Sequence, residues 1–381
     1  MQLIGDMISI EVAVVEETSG FFGRSKISFL YVCKKIVMSG HHPLQVKEIQ
    51  RLTDDAVAIS FSIPKELRQP FSFKAGQYLT LSHNIDGEQV RRSYSLCSAP
   101  HEEVLRVGIK AIPNGLFSNY ANRQIKVGDI LEVGAPEGRF VYEPNEKNNL
   151  LLLAAGSGIT PILAIAKTAL KKTNGKVVLL YGNRSEDDKM FADELQTLQT
   201  AYGQRFEIVY IYSRKKTADA LFGRIDVSHI NYVRNTLFSK FNFDAFYVCG
   251  PTGMIEASVQ ALSDSGVRDE NIHVEHFTGA GEIDRSLEGF VGYKVIFDDE
   301  THPFSADASK TILEATIDAG LDPPYSCQGG VCGSCIGRIK EGNVSMVNNQ
   351  ILSDSEVAEG LVLTCQASCT SERVVVDFDD V

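Results

Sequence analysis

Four cysteines near the end of the 381-residue chain have a spacing that could hold a metal cluster. Cys327, Cys332 and Cys335 lie in the stretch PPYSCQGGVCGSC, and Cys365 follows after 29 intervening residues. The spacing C-x4-C-x2-C…C is that of plant-type 2Fe–2S ligation. Two irons and two sulfides need four thiolates in one small volume, which a tight loop and a distant segment supply together. We therefore predict these four cysteines as cluster ligands.

Two other uses of these cysteines stay open. A structural zinc site favours two C-x-x-C-like pairs, and only Cys332 and Cys335 have that spacing. Disulfides are the third possibility, but eight cysteines in a cytosolic protein more often indicate metal or redox chemistry. Gly329, Gly330 and Gly333 favour the cluster, because glycines let backbone N–H groups approach the sulfurs closely.

A second group of residues could hold a flat, anionic cofactor. In RRSYS, Arg92 can neutralise a phosphate, Tyr94 can pack on a ring, and Ser95 can donate to the ring edge. Taken alone, this stretch is more typical of an ordinary half-exposed strand. In IPNGLFS, Gly115 and Ser118 could face a pyrophosphate, although an isolated G-x-x-S is a weak signal.

The stretch GSGITP is a stronger phosphate signal because of its context. It follows the apolar run LLLLAA and opens the helical stretch ILAIAKTALKK, with Pro161 in the first turn, where a missing N–H costs little. The pattern predicts a phosphate cradle at a helix N-terminus. It is not the G-x-G-x-x-G fingerprint, because Pro161 stands in place of the third glycine.

Two strand ends could select the nucleotide. Arg184 in YGNRS, with Ser213 and Arg214 in YSRKK, could hold the 2′-phosphate of NADPH, and a solvated basic run is the alternative. We expect NADPH rather than NADH. Cys249 in CGPTGM could touch a nicotinamide or be an ordinary buried core cysteine.

The elements between these motifs change character along the chain. Residues 44–143 read as short alternating strands with turns, which predicts a small antiparallel barrel. From Asn149 onward strands alternate with helices, which predicts a parallel doubly wound sheet. After a polar link, a hairpin and a helix precede the cysteine loop.

Composition and charge restrict the class of protein. The chain is 44% hydrophobic and 23% charged, and no stretch approaches the roughly 20 apolar residues of a membrane helix. The run ISFLYVCKKIVM contains Lys34 and Lys35 and no clear cleavage site follows it, so we expect no signal peptide, no membrane partner and a cytoplasmic location.

The net charge of −12 is concentrated at one end of the chain. From Val291 onward 15 acidic residues stand against 5 basic ones, a net charge of −10, and the remainder carries −2. Phosphate would be repelled, so nucleic acid is not an expected partner. An acidic module that docks on a basic protein surface fits better, with simple solubility as the alternative.

The order of the motifs is similar to that of a known family. RSYS, GLFS, GSGITP, CGP and EHF, followed by a plant-type ferredoxin loop, resemble the ferredoxin–NADP reductase superfamily fused to a C-terminal ferredoxin. The stretches IKAIPNGLFS, AAGSGITPILAI, LLYGNRS, FGRID and LTCQA…VVVDFD look most like reductase subunits of ring-epoxidising phenylacetyl-CoA oxygenases. Residues 1–43 and Cys369 depart from the pattern, and we expect Cys369 to be a spare buried thiol.

The resemblance implies a multidomain α/β and β fold. Its parts are an antiparallel FAD-binding β-barrel, a doubly wound parallel-sheet NAD(P)-binding domain and a C-terminal β-grasp ferredoxin domain. The predicted boundaries are 1–43 for an N-terminal extension of unknown role, 44–145 for the barrel, 146–278 for the NAD(P)H-binding domain, 279–290 for a linker and 291–381 for the ferredoxin domain.

The resemblance also implies roles for individual residues. FAD would be held by Arg92, Tyr94 and Ser95, with Gly115 and Ser118 at its pyrophosphate. NAD(P)H would lie on Gly156, Gly158, Thr160 and Pro161. The two residues closest to the chemistry would be Cys249, near the nicotinamide, and Glu275, which with Phe277 matches the E-x-F that closes the flavin site.

Together these predictions describe an electron chain. NADPH gives two electrons as a hydride, a 2Fe–2S cluster takes one at a time, and FAD bridges the two. We expect a reductase that supplies a partner oxygenase docking near the acidic ferredoxin domain, first of all a diiron phenylacetyl-CoA epoxidase. No general base is needed, and none is evident.

Two alternatives to this function stay open. The chain could be the reductase of another multicomponent hydroxylase or dioxygenase, such as a ring-hydroxylating or steroid oxygenase, or a protein whose cluster only senses redox state. If the acidic end docks the partner, charge reversal at Asp377, Asp379 and Asp380 should slow electron delivery but not flavin reduction.

Overall fold

The computed structural model describes residues 41–145, 149–277 and 289–381. Cys33, most of the predicted extension 1–43 and most of the predicted linker 279–290 lie outside the described residues. No helix within these ranges is long and apolar enough to cross a membrane. The domain boundaries stay predictions.

The first part of the chain is an antiparallel six-stranded sheet in the order β4-β3-β6-β1-β2-β5. A bridge from Leu96, directly after β4, to Val107 of β5 joins the two edges and closes the predicted barrel. The elements are β1 (His41–Thr53), β2 (Ala56–Ser62), β3 (Tyr78–Ile85), β4 (Glu88–Ser95), β5 (Leu105–Lys110), α1 (Leu116–Arg123) and β6 (Ile130–Gly134).

Strand β2 shows how the alternating sequence positions the barrel. Val57, Ile59 and Phe61 point into the barrel core, and Ala56 and Ala58 point outward into the core of the next domain. Because side chains alternate across a strand, one strand serves both cores, and small alanines allow close packing on the outer side.

The second part is a six-stranded parallel sheet in the order β10-β9-β8-β7-β11-β12. Chain order reverses between the neighbouring strands β7 and β11, which is where ligands bind in such sheets. The elements are β7 (Leu150–Ala155), α2 (Ile159–Lys172), β8 (Val177–Asn183), α3 (Ala192–Tyr202), β9 (Phe206–Tyr212), β10 (Leu221–Phe222), α4 (Val227–Tyr232), β11 (Ala245–Gly250), α5 (Thr252–Asp264) and β12 (Ile272–His276).

The apolar run of β7 is explained by burial on both faces of the sheet. Leu150 and Leu152 pack with α2 and α3, and Leu151 and Leu153 pack with α4 and α5. Helices therefore cover both faces, and the predicted doubly wound sheet is confirmed.

The last part is a mixed five-stranded sheet in the order β14-β13-β19-β15-β17, with a separate pair β16-β18. Strands β13 and β19 are parallel and helix α6 packs against this domain's core, as the predicted β-grasp requires. The elements are β13 (Phe290–Phe297), β14 (Glu300–Asp307), α6 (Ile312–Asp318), β15 (Ile336–Glu341), β16 (Val344–Met346), α7 (Asp354–Ala358), β17 (Leu361–Leu363), β18 (Ala367–Cys369) and β19 (Arg373–Asp377).

Candidate functional site

The four predicted cluster ligands pair two by two. One hydrogen bond links the thiols of Cys327 and Cys332, and another links those of Cys335 and Cys365. The contact with Cys332 holds the pKa of Cys327 below the ordinary thiol value. A 2Fe–2S cluster needs two thiolates on each iron, so the residues present fit it.

The other uses of these cysteines match the arrangement less well. Within residues 41–145, 149–277 and 289–381, no three His, Cys, Asp or Glu side chains converge as a single metal ion requires, and the two thiol pairs remain distinct. The seven cysteines of these ranges carry free thiols. The arrangement therefore favours a two-iron cluster over one tetrahedral zinc ion.

Two amides that sequence reasoning did not single out hold the ligand loop. Asn348 donates to the carbonyl of Gly329 at 2.6 Å, and Gln366 donates to the carbonyl of Gln328 at 2.9 Å. The N–H of Gly329 in turn donates to Cys327 Sγ at 3.3 Å. Such outer contacts orient ligands and tune a metal site.

Strand β4 carries the predicted FAD residues on the edge of the barrel. Arg92 is exposed and its guanidinium bonds to the carbonyl of Arg91, Tyr94 packs on Phe117 at 5.6 Å between ring centroids, and Ser95 is buried. Burial raises the pKa of Tyr94 far above its ordinary value, so its hydroxyl stays neutral. The neighbouring Arg91 is buried, which leaves Arg92 as the arginine of this strand that is open to a phosphate.

Gly115 and Ser118 lie at the start of helix α1, as predicted. Gly115 is the residue before the helix, and Ser118 Oγ accepts a hydrogen bond from the N–H of Ile112 at 3.3 Å. Backbone N–H groups at a helix start attract anions, so the position fits the predicted pyrophosphate contact.

Ser95, Glu275 and Cys249 meet where the barrel touches the parallel sheet. Ser95 donates to Glu275 Oε2 at 3.3 Å, and Glu275 pairs in register with Cys249 on the adjacent strand. Burial raises the pKa of Glu275 to about 8, so its carboxyl is mostly protonated at neutral pH. Burial, with a smaller effect of Glu275, also raises the pKa of Cys249, which is a thiol there.

A cavity of about 760 Å³ lies at the carboxyl ends of the parallel strands. The predicted residues Gly156, Arg184, Ser213, Arg214 and Phe277 line it. Its volume and its place at the reversal of strand order fit a nucleotide.

Three other predicted nucleotide residues lie beneath the cavity surface. Gly158, Thr160 and Pro161 are buried and do not line the cavity. A Cβ on Gly158 would lie 2.1 Å from the carbonyl oxygen of Cys249, so glycine is needed for close approach of β11. Their roles in nucleotide binding stay predictions.

Sequence reasoning missed Arg224, which lines the cavity after strand β10. Backbone hydrogen bonds from Ser213 to Asn183 and from Arg214 to Arg184 hold the ends of β8 and β9 together. Three arginines thus surround one end of a cavity whose lining has a single carboxylate, Asp188. The stretch FGRID contained the signal, but nothing local in it distinguishes a ligand from a surface arginine.

Three family models match successive parts of the chain. They are the oxidoreductase FAD-binding domain over residues 43–142, the oxidoreductase NAD-binding domain over 152–260 and the 2Fe-2S iron-sulfur cluster binding domain over 295–370. The order agrees with the predicted order of cofactors.

Two curated proteins are similar over nearly their whole length. One component of the 1,2-phenylacetyl-CoA epoxidase of Escherichia coli K12 is 38% identical over 352 residues, which covers 90% of this chain and 99% of that protein. The ferredoxin reductase component of the Rhodococcus rhodochrous 3-ketosteroid-9-alpha-monooxygenase is 33% identical over 351 residues, covering 88% and 96%.

A solved structure shares the fold. Phthalate dioxygenase reductase, described as a modular structure for electron transfer from pyridine nucleotides to 2Fe-2S, aligns with a TM-score of 0.60 and 23% identity over 89% of this chain and 98% of that one. The three-part architecture is therefore one that already exists in a solved protein.

Proposed function

The chain belongs to the family of FAD- and NAD-binding reductases with a C-terminal 2Fe-2S domain that serve multicomponent oxygenases, and we propose that it passes electrons from NADPH to a phenylacetyl-CoA epoxidase. The observation that carries the proposal is that the three domains meet at one place. Ser95 of the barrel contacts Glu275 of the parallel sheet, and Tyr78 of the barrel contacts Cys332 of the ligand loop.

When bound, FAD accepts a hydride from the nicotinamide and supplies single electrons to the 2Fe–2S cluster. Residues of the chain position the nucleotide next to the barrel. Gly156 and the arginines of the cavity hold the nucleotide, and Phe277, 39% exposed, lies just after β12 where cavity and barrel meet. Cys249 is fully buried beside Glu275 and does not line the cavity, so its predicted place near the nicotinamide stays a prediction.

Glu275 and Ser95 are suited to handle one proton. A carboxyl with a pKa of about 8 can hold a proton at neutral pH and release it without a large cost. Ser95 bridges that carboxyl to the strand that carries the FAD residues. No general acid or base was predicted here, because the raised pKa depends on burial, which the local sequence does not reveal.

The arginines of the cavity support NADPH over NADH. A 2′-phosphate carries the negative charge that Arg184, Arg214 and Arg224 can neutralise, with Ser213 as a donor. Strand β8 ends at Asn183, directly before Arg184, without the acidic residue that commonly binds the ribose hydroxyls of NADH.

The choice of partner rests on the similar proteins. The E. coli protein is named as part of 1,2-phenylacetyl-CoA epoxidase, and its likeness to this chain extends over 99% of its length. A 3-ketosteroid monooxygenase is the second candidate partner, because its reductase is 33% identical.

The place where the partner docks is proposed to be the acidic ferredoxin domain, but the predicted aspartates are poor probes of docking because they also hold the fold. Asp377 accepts from the N–H groups of Asp379 and Asp380, and Asp380 pairs with Lys340. Asp379 accepts from the N–H groups of the turn between β13 and β14. Charge reversal at these three aspartates would therefore disturb the fold as well as any docking.

Asp354 is a better probe of docking. It is exposed at the start of α7, and Ile351, just before it, packs near Gly333 of the ligand loop. Asp354→Lys should weaken delivery to the oxygenase without slowing flavin reduction. Glu372→Lys is the control. Strand β15 begins next to the ligand loop, and the exposed Glu372 lies beyond its other end.

The function is tested with the purified full-length protein under anaerobic conditions. NADPH should bleach flavin and cluster absorption and produce an EPR signal from one unpaired electron. Adding the oxygenase components of a phenylacetyl-CoA epoxidase should then give NADPH consumption that depends on phenylacetyl-CoA. Activity with a steroid oxygenase instead would reassign the partner, and a colourless zinc protein would refute the function.

A further inference from the structure

The outward face of strand β4 contacts the segment that leads into the ligand loop. Side chains alternate along a strand, so Arg91, Ser93 and Ser95 share this face. Arg91 donates to Asp322 Oδ1 at 2.5 Å, and its guanidinium carbon lies 4.2 Å from the centroid of the Tyr325 ring. Arg91 is therefore buried by the ferredoxin domain.

Ser93 continues the same contact one step along the strand. Its Oγ lies 2.5 Å from Oγ of Ser326, the residue before the ligand Cys327. The beginning of the ligand loop is thus held against the barrel.

Tyr78 of the neighbouring strand β3 holds the other end of the loop. Its hydroxyl donates to the carbonyl oxygen of the ligand Cys332 at 2.8 Å and lies 2.9 Å from Ser334 Oγ. Ser334 donates in turn to Glu137 of the barrel at 3.0 Å. Since Tyr78 is only 4% exposed, water does not compete for these bonds.

The register of the barrel places this contact next to the flavin residues. Tyr78 is the direct antiparallel partner of Ser95, which contacts Glu275. In one antiparallel pair of residues, Ser95 is therefore a predicted FAD residue and Tyr78 contacts a predicted cluster ligand. Electron transfer depends on such placement, because small displacements at a reacting site cost large factors in rate.

We propose that Tyr78 is a positioning residue for electron transfer from flavin to cluster. Its hydroxyl holds the peptide of Cys332, and with it the cluster, against the barrel edge that binds FAD. The cluster that Cys332 would help to hold would take one electron from reduced FAD, and Tyr78 would be neither oxidised nor deprotonated. The inference rests on the proposed function and adds a residue that belongs to none of the sequence motifs.

The test compares full-length, cofactor-loaded wild type with Tyr78→Phe, which keeps the ring and removes the hydroxyl. In stopped-flow mixing with NADPH, flavin reduction should be unchanged. Cluster reduction should slow by up to roughly tenfold, because a lost hydrogen bond can lower the population of the correctly positioned loop by about that factor. The EPR g-values and midpoint potential of the cluster should also shift, because the contact is to a ligand. Unchanged cluster reduction and EPR in Tyr78→Phe would overturn the proposal.

Tyr247→Phe is the matched control. Tyr247 is also 4% exposed, and its hydroxyl donates to the carbonyl of Val141 at 3.2 Å, across the boundary between barrel and parallel sheet. This variant should keep wild-type cluster reduction and EPR. Equal slowing in both variants would show general loosening of the domains and count against a specific role of Tyr78.

Ser334→Ala tests the same contact from the other side. It should slow cluster reduction, and its effect should not add fully to that of Tyr78→Phe, since the two hydroxyls are in contact. If Tyr78→Phe does not fold, wild-type cluster reduction in Ser334→Ala alone overturns the proposal. A wild-type cluster that NADPH does not reduce would instead refute the proposed function.

Discussion

Ser95 and Glu275 come from different domains and meet at 3.3 Å between Oγ and Oε2. Ser95 ends strand β4 of the barrel, and Glu275 lies in β12 at the edge of the parallel sheet. The two domains meet at this contact, and burial of the carboxyl raises its pKa to about 8. The contact joins the predicted flavin strand to the nucleotide-binding sheet.

Glu275 should make stability depend on pH. The folded chain keeps the proton of this carboxyl up to about pH 8, whereas the unfolded chain releases it near 4.5. The contribution of this carboxyl to the free energy of unfolding is therefore complete below pH 4.5 and is lost as the pH rises through 8. The slope is at most about 1.4 kcal/mol per pH unit, and residual exposure of the side chain narrows the pH range over which it applies.

Urea unfolding between pH 6 and pH 9 measures this effect. Glu275→Gln keeps the shape of the side chain and cannot titrate. Relative to this variant, the unfolding free energy of the wild type should fall as the pH rises to about 8 and then level off. Parallel pH profiles of the two proteins would show that the carboxyl is not buried in its protonated form.

Arg214 should determine the preference for NADPH. Arg214→Ala removes a cation from the cavity wall, and loss of a charged hydrogen bond to phosphate should raise KM for NADPH by roughly 10- to 100-fold. KM for NADH should stay nearly constant. Steady-state reduction of an artificial acceptor with each nucleotide measures both values.

Lys215→Ala is the control for Arg214→Ala. Lys215 is exposed and adjacent in the chain, but it does not line the cavity. If both variants raise KM for NADPH equally, the effect comes from the general positive charge of the segment and not from a phosphate contact.

Cys365 and Cys369 should differ sharply when replaced. Cys365→Ser removes one member of a thiol pair and should abolish the cluster, measured as iron content and visible absorption. Cys369, whose thiol donates to Tyr293 Oη at 3.3 Å, should tolerate replacement by Ser with the cluster intact. If Cys369→Ser loses iron and Cys365→Ser retains it, then Cys369 is the fourth cluster ligand and Cys365 is not.

Features carried by local sequence were predictable. The spacing of the cysteines fixes which thiols can converge, because three lie in one tight loop. The apolar run LLLLAA is typical of a strand buried on both faces, and Leu150 to Leu153 point alternately into two cores. Between β3 and β4 the dipeptide Asp86-Gly87 is a local hairpin signal, and both residues have positive φ, as an Asp-Gly hairpin requires.

Features that depend on contacts between domains were not predictable. Nothing local distinguishes Arg91 from Arg92 in RRSYS, yet the ferredoxin domain buries the first and leaves the second exposed. The pKa of Glu275 is likewise raised by burial, which its neighbours in the sequence do not determine. Short helix α4 was also not predicted, since six residues carry too little periodicity to be recognised.

Gly158 should be intolerant of even one methyl group. A Cβ there would lie 2.1 Å from the carbonyl oxygen of Cys249 and 2.9 Å from the amide nitrogen of Gly250, so the backbone of β11 would have to move. We expect Gly158→Ala to lower the free energy of unfolding by about 1–3 kcal/mol and to slow flavin reduction by NADPH. Gly253→Ala is the matched control, because no atom lies within 4 Å of its Cβ position at the rim of the same cavity. Urea unfolding measures both variants. Wild-type stability in Gly158→Ala would mean that the start of α2 does not lie as close to β11 as these distances indicate.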